Sequence, residues 1–252
     1  MLNYGRFGKG PVLVLQHGYI GGHTIWTPQI PFFSRMFDVI AVDLPGHAGS
    51  AHVPPCETIG CMAEAVLALL DDLSVDRFHL LGHSMGGMVV QEMAARAGDR
   101  IDKLVLYGTA CSGAMPKRFE PFEETARTME REGIEATGRR IGATWFRQGK
   151  DAPNYMLCQN SGNGTTLETA LAGLRAMPAW DGTAALPGFT MPTLVMGGDG
   201  DRSYSLEEMN YLYRTIPDAR LAIMPGCAHN AHLEKPDLFN QILADFLLAR
   251  DG

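Results

Sequence analysis

Short apolar runs alternate with stretches of helical periodicity along this chain, and that alternation leaves few architectures open. Residues 12–15, 37–43, 77–81, 103–108, 193–197 and 220–224 are short runs rich in Val, Ile and Leu. They are apolar on both faces, as strands are when helices cover both sides of a parallel sheet. Helical patterns occupy residues 26–36, 59–73, 85–97, 206–215 and 236–249 between or after them. The predicted fold class is α/β, a mostly parallel sheet with helices on both faces. Residues 113–186 break the rhythm with no convincing strand. They read as helices at 120–131, 134–146, 154–159 and 166–176, punctuated by Pro116, Pro121, Pro153, Pro178 and Pro187. The expected organisation is a core in two parts, residues 1–112 and 187–252, with a helical insert between them. Ligand sites of such sheets lie at the carboxyl ends of the strands, so the insert is expected to cap that edge.

Composition narrows the partners. The 252 residues are 46% hydrophobic and 19% charged, with a net charge of −7 and no Lys/Arg block. That balance argues against nucleic acid or an anionic membrane as partner. No stretch approaches the roughly 18 apolar residues of a membrane span. The apolar run after residues 1–10 is too short for a signal-peptide core. The five cysteines are an odd number with no Cys-x-x-Cys spacing. They suit neither a disulfide framework nor a zinc site, and point to a reducing compartment. The expectation is a cytoplasmic protein, monomer or homodimer, that uses no metal and no cofactor.

Gly82-His83-Ser84-Met85-Gly86 stands between an apolar strand and a helical pattern. A nucleophilic serine on a tight strand-to-helix turn needs glycine on either side, because any side chain there collides across the turn. The helix start then turns free N–H groups and the positive end of its dipole toward a developing oxyanion, and the N–H of Met85 is the candidate. A serine needs a base, and the base an orienting carboxylate. Only His229 and His232 among the histidines follow Ser84. His229 lies in the loop after residues 220–224, whereas His232 lies nearer the last helix and reads as a pocket-edge or structural residue. Asp199 and Asp201 both follow residues 193–197. Asp201 lies further past the strand end, where a loop can turn toward His229, and Asp199 suits a turn beside Gly200.

With these residues the chain resembles the α/β-hydrolase superfamily, close to its small bacterial carboxylesterase, lactonase and 3-oxoadipate enol-lactonase branch. Gln16-His17-Gly18-Tyr19 is similar to the family's His-Gly-x oxyanion loop, and residues 43–50 (DLPGHAGS) to its Asp-x-Pro-Gly-His-Gly-x-Ser turn. Residues 198–201 resemble the Gly-x-x-Asp acid loop, and residues 226–236 (GCAHNAHLEKP) the histidine loop. The resemblance implies an oxyanion hole made by the N–H groups of Tyr19 and Met85, with His17 bracing the loop. It also supports Asp201 as the acid. Two departures stand out. Ala48 replaces the family's second glycine in Gly-His-Gly, and where the family often has an extra β-hairpin at its start only residues 1–10 precede the strand at 12–15, so one edge strand is expected to be missing.

The resemblance implies acyl transfer on a small or medium ester or lactone, with Ser84 as nucleophile, His229 as base and Asp201 as its partner. A serine argues against the dehalogenase and epoxide-hydrolase branches, which use aspartate. Carbon–carbon bond hydrolysis of vinylogous diketones, a perhydrolase or haloperoxidase side activity, and a non-catalytic receptor are the alternatives. In the insert, Trp145, Met177 and Trp180 are the apolar pocket candidates. Arg147 is the candidate for a substrate carboxylate, and Arg139 and Arg140 read as a solvated face. Cys111 and Cys227 are expected near the site as idle thiols.

Overall fold

The structure, a computed structural model, describes residues 1–115 and 118–249, so Pro116 lies outside the described residues. Its strands are β1 (Tyr4–Gly8), β2 (Val12–Gln16), β3 (Asp38–Val42), β4 (Phe78–His83), β5 (Ile101–Tyr107), β6 (Thr193–Gly198) and β7 (Ala219–Met224). They form one sheet in the order β1-β3-β2-β4-β5-β6-β7. Every pairing is parallel except β1 with β3. The double-sided apolar pattern has its expected cause. Val14, Ile40, Leu80 and Leu104 belong to one buried cluster, with the helices Ile59–Asp72 and Met85–Ala97. Their strand neighbours Leu13, Val39, Leu81 and Val105 belong to another, with the helix Pro236–Leu248.

The N-terminal edge is a single strand rather than a hairpin: residues 4–8 form β1, antiparallel to β3, a strand the apolar runs did not mark. Its sequence, YGRFG, lacks a continuous apolar run because an edge strand has a neighbour on one side only, and its last three residues are exposed. The helix expected over residues 26–36 is also shorter, a 3-10 turn at His23–Trp26 and one turn at Ile30–Phe33. Pro28 and Pro31 remove the amide donors a longer helix would need.

Between β5 and β6 the chain forms the helices Phe122–Glu132, Ile134–Ala143, Tyr155–Ser161 and Leu167–Ala176. The two ends of this insert meet at a single bridge, Ser112 with Asp181. Two backbone hydrogen bonds flank it, Gly113 N–H to Trp180 O at 3.0 Å and Gly182 N–H to Cys111 O at 2.8 Å. Side chains pin the insert to the core loops: Tyr19 donates to Ala170 O at 2.9 Å and Asn154 to Leu233 O at 2.9 Å.

The cysteine reading needs correction. Cys56 and Cys61 form a disulfide that joins the start of the helix Ile59–Asp72 to the segment before it. A five-residue separation brings two cysteines within bonding reach without any wider framework. The odd count therefore loses its force as a sign of a reducing compartment. No helix among the described residues is long and apolar enough to cross a membrane.

Candidate active site

Ser84 follows the last residue of β4 and caps the helix Met85–Ala97, with φ 58° and ψ −122°. The flanking glycines are required by contact. A Cβ on Gly82 would lie 2.3 Å from the carbonyl oxygen of Gly86, and one on Gly86 would lie 2.3 Å from that of His17. The turn is held by its own backbone: Ser84 N–H donates to Tyr107 O at 2.9 Å, and Ser84 O accepts from Gly87 N–H at 2.8 Å. Thr109 adds its hydroxyl to the same carbonyl at 2.9 Å.

The loops after β6 and β7 meet above this turn. His229 Nδ1–H donates to Asp201 Oδ2 at 2.8 Å, and both side chains are almost wholly buried. The second oxygen of Asp201 accepts from Ser203 N–H at 2.7 Å and Tyr204 N–H at 3.2 Å, which fixes the carboxylate. Asp199 faces away and ties down the turn, accepting from Gly226 N–H at 2.9 Å. Gly108, at φ 53°, lies beneath the pair; a Cβ there would stand 3.3 Å from His229 Nδ1 and 3.5 Å from Asp201 Oδ2.

His17 braces the loop that carries Tyr19. Leu44 N–H donates to its Nε2 at 3.0 Å, so Nδ1 holds the proton and donates to Gly18 O at 2.7 Å. Burial pushes its pKa down, which keeps the ring neutral. The N–H groups of Tyr19 and Met85 donate to no acceptor among the described residues. The turn at residues 43–50 is drawn together by Asp43, which accepts from Asn3, His23 and Gly49. Ala48, in place of glycine, takes a positive φ of 42°.

Residues 11–236 match the family described as the alpha/beta hydrolase fold. The chain belongs to that family. The "Putative carbamate hydrolase RutD" of Agrobacterium fabrum is 28% identical over 253 residues, covering 96% of this chain and 95% of the relative. The 2-hydroxy-6-oxo-6-phenylhexa-2,4-dienoate hydrolase of Comamonas testosteroni is 29% identical, with 99% of this chain and 92% of that one covered. The crystal structure of the enol-lactonase from Burkholderia xenovorans LB400 superposes with a TM-score of 0.87 at 26% identity, over 98% of this chain and 96% of that one.

In this α/β-hydrolase, two small cavities flank Ser84. One of about 20 Å3 is bounded by Gly18, Tyr19, Trp145, Cys158 and His229. The other, about 30 Å3, is bounded by Arg118, Phe119, Trp145, Met177 and Tyr204. Trp145 walls both, and also borders an outer groove of about 480 Å3 along the insert. Its ring centroid lies 6.0 Å from that of His229. Of the apolar candidates in the insert, Trp145 and Met177 border these cavities. Trp180 does not: it is buried beside the core helix, its Nε1–H donating to Glu92 at 2.9 Å. Arg147 also lies away from both cavities. Its guanidinium stands 3.7 Å from Asp199 and is half exposed, because its backbone N–H is drawn to Glu234 on the outer side of the histidine loop. Arg139 and Arg140 pair with Glu135 and Glu120 at the surface. The thiol at the site is Cys158, whose pKa burial pushes up to about 12, and not Cys111 or Cys227.

Several residues at the site gave no sequence signal. The carbonyl of His229 accepts from Tyr107 hydroxyl at 2.9 Å and His83 Nε2 at 3.1 Å, so two residues from the nucleophile side hold the histidine loop. His232 extends this cluster, its backbone N–H donating to the Tyr107 hydroxyl at 3.1 Å. Tyr204, Arg118 and Cys158 reach the cavities from loops and the insert. A Gly-x-Ser-x-Gly pattern does not announce them. Among the described residues, no group of three or more His, Cys, Asp or Glu is disposed to hold a metal ion.

Proposed function

We propose that this α/β-hydrolase is a serine hydrolase that cleaves a small carboxylic ester or lactone through an acyl-enzyme on Ser84. The observation that carries the reading is the Asp201–His229 pair at 2.8 Å, closing over a serine held at φ 58°. His229 takes the Ser84 proton on Nε2 as Oγ attacks the carbonyl, while Asp201 fixes Nδ1–H and stabilises the imidazolium. The N–H groups of Tyr19 and Met85, which have no internal acceptor, receive the tetrahedral oxyanion. His229 returns the proton to the leaving oxygen, then activates the water that releases the acid. The insert serves as the cap, with Trp145 and Met177 as apolar walls. The size of the two cavities favours small acyl and alcohol groups, since about 20 and 30 Å3 hold roughly two water-sized groups each.

Carbon–carbon bond cleavage with the same triad is the second reading, favoured by the name of the Comamonas relative. A turnover screen separates the two. Short-chain esters and lactones are expected to be hydrolysed, with kcat/KM falling as the acyl chain lengthens. Turnover of vinylogous diketones alone would replace the ester reading, and cleavage of carbamates alone would point to the activity named for the Agrobacterium relative.

A further inference from the structure

We propose that the larger of the two cavities beside Ser84 is a carboxylate subsite, formed by Arg118 and Tyr204, and that the substrate is a half-ester of a short dicarboxylic acid. This deepens the serine hydrolase reading and rests on it. The Tyr204 side chain is 1% exposed, and its hydroxyl, which faces the Ser84 side chain, makes no well-formed hydrogen bond among the described residues. Its ring lies against His229, with centroids 5.7 Å apart and planes 30° from parallel, so the hydroxyl cannot swing to solvent without unstacking. A buried hydroxyl left without a partner is costly, and it borders the same cavity as Ser84.

Arg118 brings charge to that cavity. Its guanidinium is part-buried between the rings of Phe119 and Phe122, with centroids 5.1 and 4.5 Å away. Its Nη1 donates to the carbonyl of Glu120 and to Thr125 Oγ1, neither of them an anion. The nearby Glu120 carboxylate is committed to Arg140, with two hydrogen bonds at 2.9 and 3.0 Å. Among the described residues no carboxylate lies within ion-pair distance of Arg118. Met115, Phe119, Ile141, Trp145 and Met177 add apolar walls, and Tyr19, Ser84 and Ser203 complete the lining. A part-buried cation and a buried hydroxyl that border one largely apolar cavity select an anion that accepts from both. At about 30 Å3 the cavity has room for roughly two water-sized groups, which the two oxygens of a carboxylate would occupy.

The test compares monomethyl glutarate with dimethyl glutarate in the wild type, Arg118→Gln and Tyr204→Phe. The ratio of the two kcat/KM values is expected to fall about 30-fold in Arg118→Gln and about 5-fold in Tyr204→Phe, the scale of a charged and a neutral hydrogen bond. Arg118→Lys should recover part of the loss. An unchanged ratio in both variants overturns the subsite. Calorimetric binding of glutarate is read in parallel, because it needs no chemistry. Glutarate that binds the wild type at least tenfold more tightly than Arg118→Gln, with neither ester cleaved, keeps the subsite and removes the hydrolase reading instead. No glutarate binding to the wild type overturns the subsite.

Discussion

Ser84 holds a backbone conformation that L-residues rarely adopt, at φ 58° and ψ −122°. Such a position costs about 1–3 kcal/mol, and here hydrogen bonds from both of its peptide groups hold it. Ser84 and His229 border the same small cavity, and the loop after β6 brings Asp201 to His229. Two aspartates two residues apart provide an internal control. Asp201→Asn is expected to lower kcat about 10^4-fold, because the amide no longer fixes the Nδ1–H tautomer of His229. Asp199→Asn should change it less than about threefold, since Asp199 only closes a turn onto Gly226 and Cys227. Ester kinetics on the purified variants check this, and equal losses would contradict the assignment. The Gly-x-Ser-x-Gly turn could be read from the sequence because its glycines answer to local sterics. Tyr204, Arg118 and Tyr107 could not, because what makes them matter is a neighbour brought from far along the chain.

The strands and helices of the core could be read from apolar periodicity, which reports burial on both faces of a sheet. The exceptions have physical causes: β1 is an exposed edge, and Pro28 and Pro31 break the helical pattern that follows Trp26. Inside the insert, helix positions were readable but the facing of their side chains was not. Arg147 and Trp180 sit within or beside the same stretches as Trp145 and Met177 yet point elsewhere, because no periodic rule governs the loops between these helices. Trp145 is the wall shared by both inner cavities and the outer groove. Trp145→Ala is therefore expected to join them and shift the preferred acyl chain longer by several carbons. A kcat/KM series over acyl length checks this, and an unchanged optimum would show that other elements set the limit. The same change should cost about 3 kcal/mol of stability or less, as the side chain is only partly buried.

On the scale of the whole molecule, the cluster of buried histidines makes stability depend on pH. Burial pushes the pKa values of His47 and His232 down to about 3, and that of His83 well below its usual value. Unfolded, each would titrate near 6.5. Between about pH 6.5 and pH 3 the unfolded chain binds more protons than the folded one, so stability falls as pH falls. Each such histidine contributes about 1.4 kcal/mol per pH unit in that window. Asp43 acts lower: burial raises its pKa, but hydrogen bonds led by His23 prevail and hold it at about 2. Its contribution is present above about pH 4 and is lost as pH drops through its folded value. Urea unfolding at pH 7.5 and pH 5.5 should give a clearly lower midpoint at pH 5.5. An equal or higher midpoint would mean that these rings are charged in the fold.

The central claim is that Ser84 is a nucleophile activated by the Asp201–His229 pair. Treatment with a small p-nitrophenyl alkylphosphonate, followed by peptide mass spectrometry, tests it most directly. The account predicts one phosphonyl adduct on Ser84, formed together with stoichiometric p-nitrophenolate release and loss of ester turnover, and no adduct in His229→Ala over the same time. Labelling at another residue, or full ester turnover by Ser84→Ala, would contradict it.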